Sequence, residues 1–292
     1  MAPAPGLDSE QYEIRQLQPG DTDAASAILS VATAFDSPFF ELMVQYQAIP
    51  KPARVYALFD THVPVVSRHI ESGLSYGVFN KHYISPRGHA NPSSVLWACP
   101  DTRDEAPTKI KLLSQIDSPL VSVALSNDAT DPQYFDGAGN WIPPAIRELC
   151  ELKAMLRQLD TAPPKLWQPT ERGQMLLREG TFTRSDYAGR GLAKALSYWL
   201  MDEMARQGYR TIEVDTYHPA VTKIWQNPPA PFAASVGCEL LPGWSDTIAG
   251  KVLMGDNVLV DRLCVECKRI YVSLVPDAGE AGLEALVMEG FS

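Results

Sequence analysis

Residues 175–225 read MLLREGTFTRSDYAGRGLAKALSYWLMDEMARQGYRTIEVDTYHPAVTKIW, and this stretch decides the fold. Residues 175–184 are extended and enter a glycine-bearing turn, Asp186-Tyr-Ala-Gly-Arg-Gly191. A helix begins at once, with Leu192, Leu196, Trp199, Leu200 and Met204 at helical spacing, and Gly208 closes it. Residues 210–216 then set Thr211, Glu213 and Asp215 against Ile212 and Val214, which predicts a strand with one apolar side. The unit is strand–turn–helix–strand. At such a turn, glycines let successive backbone N–H groups point inward, and the helix amino terminus adds a partial positive charge. The junction therefore suits phosphate oxygens. Arg190 and Lys194 either supplement that charge or are simply solvated.

Toward the amino terminus, residues 12–17 alternate apolar and charged as a half-buried strand does. Pro19-Gly20-Asp21 ends it, and Asp21 or Thr22 can cap a helix carrying Ala24, Ala27, Ile28, Val31 and Phe35. A second helical zone covers residues 52–72, and Pro64 is expected to split it or to begin a new helix there. Short strand-like runs follow at residues 75–79, 95–98 and 120–125. The stretch 100–139, rich in Asp, Pro, Ser and Thr, reads as an elaborated connection. Residues 143–160 form a predicted amphipathic helix. Ile146, Leu149, Leu152, Leu156 and Leu159 make one face, and Arg147, Glu148, Glu151, Lys153 and Arg157 the other. The division expected is a flexible stretch at 1–10, one domain over 11–276 and a tail at 277–292.

Composition bounds the function. The chain has 292 residues, 45% of them hydrophobic and 21% charged, which is ordinary globular usage. Acids outnumber bases 35 to 25, giving a net charge of −10. That balance disfavours nucleic acid and anionic lipid, which need clustered Lys and Arg. No uncharged apolar run reaches the about 18 residues of a membrane-spanning helix. Residues 1–10 have neither a basic start nor an apolar stretch, so a secretory signal is not expected and a cytoplasmic location is. The five cysteines are odd in number and widely spread, which suggests reduced thiols. Cys264 and Cys267 form one CxxC pair that no second pair or histidine cluster completes, so no metal site is expected. Gly189-x-Gly191 lacks the third glycine of a dinucleotide fingerprint, and no P-loop occurs.

The turn and its helix resemble the GCN5-related N-acetyltransferase family, whose signature is Gln/Arg-x-x-Gly-x-Gly/Ala between a central strand and a long helix. Here the frame is Ala188-Gly189-Arg190-Gly191-Leu192-Ala193, with Ala188 in place of the leading Gln or Arg. Because the family grips the coenzyme A pyrophosphate through main-chain amides, the resemblance implies that an alanine leaves this cradle intact. It extends to His218-Pro-Ala-Val221-Thr-Lys-Ile224-Trp225, where the family has a helix beginning Asn-x-x-Ala. His218 stands where asparagine commonly contacts the cofactor. Trp225 stands where tyrosine often protonates the leaving thiolate, a role an indole cannot fill. Val236-Gly237-Cys238 resembles the closing Gly-Phe, and residues 269–275 would be the final strand. The clear resemblance covers about residues 175–240, with insertions at about 100–165 and 226–235.

What this implies is the α/β acyl-CoA N-acyltransferase fold: a mixed central sheet flanked by helices, with inserted helical and loop elements. It also implies an acetyl-CoA-dependent N-acetyltransferase in which an amine attacks the thioester directly. Acetyl-CoA would be held by Ala188, Gly189, Arg190, Gly191, Leu192, Ala193 and Lys194, with Trp225 nearby. A main-chain N–H near Phe182 or Thr183 would polarise the thioester oxygen. A protonated amine has no lone pair, so a base or water chain must first take its proton. Glu179 is the first candidate, against the reading of an ordinary salt-bridged glutamate. Asp215 and His218 rank second, His218 either shuttling a proton or replacing the asparagine contact. Tyr217 and Tyr198 are candidate acids. Histidines 62, 69, 82 and 89 are read as structural or solvent-facing. Helix 143–160 and the insertions would roof the acceptor site, and a small-molecule amine is the acceptor expected. Alternatives are a degenerate CoA-binding sensor or partner module, supported by Ala188 and Trp225, an O-acyltransferase, and a protein amino group as acceptor.

Overall fold

The computed structural model describes residues 6–37, 49–89, 93–97, 105–131, 144–163, 168–242 and 266–275. The elements in chain order are β1 (Tyr12–Gln16), α1 (Thr22–Asp36), α2 (Lys51–Glu71), β2 (Tyr76–Asn80), β3 (Ser94–Val95), α3 (Glu105–Ser114), β4 (Ile116–Asp117), β5 (Leu120–Asp128), α4 (Pro144–Gln158), β6 (Met175–Thr183), α5 (Leu192–Arg206), β7 (Thr211–Thr216), α6 (Pro219–Gln226), β8 (Ala233–Leu240) and β9 (Cys267–Ser273). Seven strands form one sheet in the order β1-β2-β5-β6-β7-β9-β8, and β3 pairs with β4 apart from it. Every pairing in the large sheet is antiparallel except β6 with β7. That exception follows from the sequence: the crossover through α5 is what a parallel pair requires. Cys99 and Cys264, and the expected tail at 277–292, lie outside the described residues.

Two apolar clusters cover the two faces of the sheet. One gathers Ile28, Val31, Val55, Leu58 and Val66 from α1 and α2 with Leu112 of α3 and Leu152 and Leu156 of α4. The other gathers Leu192, Leu196, Trp199, Leu200 and Met204 of α5 with Trp225 of α6 and Ile212 and Val214 of β7. The leucines expected on one face of α4 thus pack where the periodicity put them. In the 226–235 stretch, Phe232 is buried among the α5 and α6 residues on the face opposite α4.

Pro64 does not split the second helical zone. α2 runs unbroken through it, with Val55, Leu58, His62, Val66 and Ile70 buried along one side. A helix-interior proline costs about 3 kcal/mol through its missing N–H and its clash with the preceding turn. Here Pro64 and Asp60 both sit on the exposed side, where water can satisfy the freed carbonyl. The continuous apolar stripe offsets the remainder.

His62 is a core histidine: it is 5% exposed, and its Nδ1 lies 2.9 Å from Ser30 Oγ. Burial pushes its pKa from 6.5 down to about 3. The unfolded chain therefore binds a proton that the folded chain refuses. The resulting stability is present above about pH 6.5 and is lost progressively as pH falls toward 3, by about 1.4 kcal/mol per pH unit per proton. Glu179, whose pKa is also depressed, adds to this loss only below its ordinary value of 4.5. His69, whose pKa burial also lowers, contributes over the same range, so His62→Asn should reduce but not abolish the fall in urea midpoint between about pH 6.5 and about pH 5. An unchanged slope in equilibrium unfolding would show that His62 is not a proton-refusing group.

Candidate active site

The parallel ladder between β6 and β7 runs from Met175–Thr211 to Arg178–Val214 and stops. Beyond it β6 stays with β5, Gly180 facing Leu125 and Phe182 facing Val123, while Asp215 and Thr216 stay with β9. The two strands part into a fork. A bulge marks its vertex, since Ser126 faces Arg178 and Leu125 faces Gly180, leaving Glu179 as the extra residue. At Gly180 a β-carbon would meet the ring of Phe182, which would have to shift.

At the mouth of the fork lies the glycine turn. Gly189 and Gly191 have φ of 76° and 74°, left-handed values that favour glycine. Ala188, Gly189, Arg190 and Gly191 are exposed, and no atom lies within 4 Å of a β-carbon built at either glycine. Gly191 is the amino-terminal cap of α5 and offers no capping side chain, so the first-turn N–H groups point into open space. Leu192 is buried in the core, Ala193 is half-buried and Lys194 is exposed with its ammonium 5.3 Å from the Tyr198 ring. Arg190 stacks on Tyr187 at 4.7 Å and donates to Tyr12 Oη at 3.1 Å, which anchors it beside the turn. The residues present therefore fit a diphosphate: main-chain donors, a helix terminus and two cations around unfilled space.

The structure brings Glu179 together with two residues that the sequence reading passed over. Glu179 is ion-paired to Lys153 of α4, and His69 of α2 lies close enough to act on its charge. Burial alone would raise the Glu179 pKa, but Lys153 above all, with His69 and Arg178, holds it at about 2. His69 is pushed the other way by burial, against the pull of Glu179. Lys153 stands on the polar side of α4, whose periodicity shows a second face without showing what that face meets. It meets acids: Arg157 of the same helix reaches Glu213 at 3.1 Å.

Beneath α4 a buried ionic network extends this set. Arg269 of β9 is 1% exposed and clamps Asp215 with bonds of 2.8 and 2.9 Å, with Glu213 at 3.4 Å and Asp160 at 3.8 Å. Tyr271 donates to Asp160 at 2.5 Å. Both carboxylate oxygens of Asp215 are thus taken up by Arg269. His218 is exposed and caps α6, its Nδ1 accepting from the Ala220 N–H at 3.2 Å, so it does the capping work of an asparagine. Tyr217 packs against the α1–α2 cluster, and burial foremost, then Asp215 and Cys267, raise its pKa and make it a weaker acid than a free phenol. Tyr198 donates to the Asn227 carbonyl at 2.7 Å. Trp225 is 1% exposed on the opposite face of the sheet from Glu179. Phe182 and Thr183 line the β6 arm of the fork, both bonded to Ser122 Oγ, at 3.2 Å through the Phe182 carbonyl and 2.7 Å through the Thr183 hydroxyl.

Arg178 also escaped the sequence reading. It is 4% exposed and fills the bulge: Nη1 donates to the Leu125 carbonyl and to Ser126 Oγ at 3.0 Å. Nη2 donates to the Gly180 carbonyl at 2.8 Å and to Thr181 Oγ1 at 2.6 Å. The one local signal was a charged residue continuing the strand directly after the apolar run Met175-Leu176-Leu177.

No protein-family model and no curated protein matches the chain. Solved structures do. Arylalkylamine N-acetyltransferase 2 from Aedes aegypti superposes with a TM-score of 0.58 at 12% identity, over 90% of this chain and 99% of that one. A mosquito arylalkylamine N-acetyltransferase like 5b gives 0.53 at 14%, over 90% and 100%. The C-terminal condensation domain of Ebony, in complex with beta-alanyl-dopamine, gives 0.53 at 11%, over 89% and 98%. The chain has the GCN5-related N-acetyltransferase fold. The forked parallel pair, the bulge and the glycine turn before α5 all lie along the one strand β6 and its continuation into α5. Among the described residues no helix is long and apolar enough to cross a membrane, and no group of metal-ligating side chains gathers.

Removing one member of the buried ionic network should be costly. Arg269→Met leaves Asp215, Glu213 and Asp160 short of their cation, and breaking a buried pair costs about 3–5 kcal/mol. Urea unfolding should read a loss of that size, whereas exposed Arg172, paired to Asp131 at 2.5 Å, should lose at most about 1 kcal/mol on the same substitution.

Proposed function

We propose that the protein is an acetyl-CoA-dependent N-acyltransferase whose acceptor is a primary amine of a small molecule. The observation that carries this reading is the fork between β6 and β7, with a bulge at its vertex and an open glycine turn at its mouth. A thiol-linked nucleotide laid along β6 would rest its diphosphate on residues 188–194 and bring its acyl group to the bulge. The main-chain groups of residues 179–183 that face β7 have no ladder partner there, and one near Phe182 or Thr183 would receive the thioester oxygen. The acceptor would come from the α4 side. Lys153 presents an ammonium to Glu179, which is the arrangement a substrate ammonium needs, and a cationic amine would exchange with it. Displacing Lys153 removes the main hold on the Glu179 charge, so burial raises its pKa, and Glu179 would then pass the amine's proton to water before attack. The arylalkylamine in one neighbour's name and the beta-alanyl-dopamine in complex with the Ebony domain support an amine as acceptor. Trp225 in place of a phenol supports the second reading, a coenzyme-A-binding module without turnover.

Acetyl-CoA at about 100 times its Kd should raise Tm by about 5 °C, and thiol release with an amine panel should separate transferase from binding module. Gly191→Leu should abolish that shift, because the side chain would enter the cradle, while the left-handed backbone costs about 1–2 kcal/mol. Glu179→Gln should keep the shift and lower kcat by about 10²-fold. Unchanged turnover would remove Glu179 from the mechanism, and a full shift in Gly191→Leu would move the diphosphate elsewhere.

A further inference from the structure

Arg178 sits where the last paired rung of β6 and β7 gives way to the fork. Four of its five donor N–H groups are spent on the two strands of the bulge, but Nε has no partner. Among the described residues no carboxylate lies within 4 Å of the guanidinium, although a buried charge ordinarily requires one. β5 faces it with Ser126 and α6 with Trp225, both neutral. The charge that acts on it is the adjacent Glu179, itself neutralised by Lys153. The Arg178 guanidinium carbon lies 5.9 Å from the centre of the Trp225 ring. By the resemblance drawn from the sequence, that ring stands where a proton-donating phenol is expected.

We propose that Arg178 is the group that stabilises the coenzyme A thiolate as it leaves, supplying by charge what Trp225 cannot supply by proton transfer. This rests on the coenzyme A reading of the cleft. The amine nitrogen forms its bond to the acyl carbon, the C–S bond breaks, and its electron pair goes to sulfur. The guanidinium keeps its own proton and meets the sulfur anion with charge and with Nε–H, and the thiolate takes a proton from water after release. The amine's proton leaves separately, through Glu179. Burial lowers the Arg178 pKa to about 9, the mark of a cation that lacks an anion in the unliganded protein. Trp225 contributes a flat apolar wall that keeps water from the sulfur and so strengthens the attraction.

The test compares CoA with desulfo-CoA, which lacks the thiol and shares every other titrating group. An acidification of the bound thiol by about one unit from about 8.5 makes CoA gain about fivefold in affinity over desulfo-CoA between about pH 6.5 and about pH 8.5. Isothermal titration should show that gain in the unmodified protein and a flat ratio in Arg178→Met, with kcat down by about 10²-fold. A merely structural arginine would leave the ratio flat in both proteins. If Arg178→Met does not fold, Arg178→Gln keeps amide donors for the bulge carbonyls without the charge and must also flatten the ratio. A flat ratio in the unmodified protein, or the same rise in either variant, overturns the proposal while leaving the coenzyme A reading in place. Failure of both ligands to bind overturns both.

Discussion

The constraint on which the rest of the structure depends is the end of hydrogen bonding between β6 and β7 after Arg178 and Val214. Two parallel strands have no local reason to part, because each lost rung leaves backbone groups without partners. The bulge at Glu179 supplies the reason. One extra residue bends β6 toward β5 and away from β7, and the Arg178 guanidinium fixes the bend by bonding the carbonyls on both sides of it. β7 is drawn the other way by its full ladder to β9 and by the Arg269–Asp215 clamp across that ladder. The fork is therefore held from both arms. Its unpaired edges are affordable only if water or a ligand satisfies them.

The two faces of the sheet around this fork differ in chemistry. On the α5–α6 side, Trp225, Phe232, Val214 and Ile212 are apolar, and Arg178 is the charged group among them. On the α4 side, Glu179, Glu213, Asp215 and Asp160 alternate with Lys153, Arg157 and Arg269. A charge-rich face suits exchange of one ammonium for another. An apolar face suits the chain of a thioester and strengthens any single charge placed within it. The division follows from strand alternation, which sends Ile212 and Val214 one way and Thr211, Glu213 and Asp215 the other.

Much of the fold was legible because its strongest signals are local. The turn at 188–191, the helix after it and the alternation through Asp215 each depend on residues adjacent in sequence, and the structure has all three. Pro64 misled because propensity speaks of the backbone bond lost, and not of the solvent-facing side on which the loss falls. The site was less legible for a related reason. Glu179 could be placed on β6, but the bulge that singles it out is a relation between β5 and β6 and leaves no trace in either strand alone. Lys153 and His69 come from helices 26 and 110 residues away in the chain, positions whose periodicity gives a face and no partner. Arg178 had a trace, a cation directly after buried leucines, which alternation alone absorbs as the polar side of a strand.

Ala188 and Trp225 are the departures from the expected pattern that bear most on catalysis, and the structure gives them different weight. Ala188 is exposed beside a cradle built from main-chain groups, and the left-handed glycines that shape it remain. Losing one side chain there removes a supporting contact and leaves the donors where they were. Trp225 is buried and large, so it changes the interior of the cleft. A tyrosine at that place brings a hydroxyl that needs a partner, whereas the indole brings apolar area and a π-face. A π-face attracts cations, and Arg178 lies within reach of it. The tryptophan and the arginine are therefore intelligible as a pair: the ring gives the guanidinium a neighbour that does not consume its charge, which a carboxylate would have done.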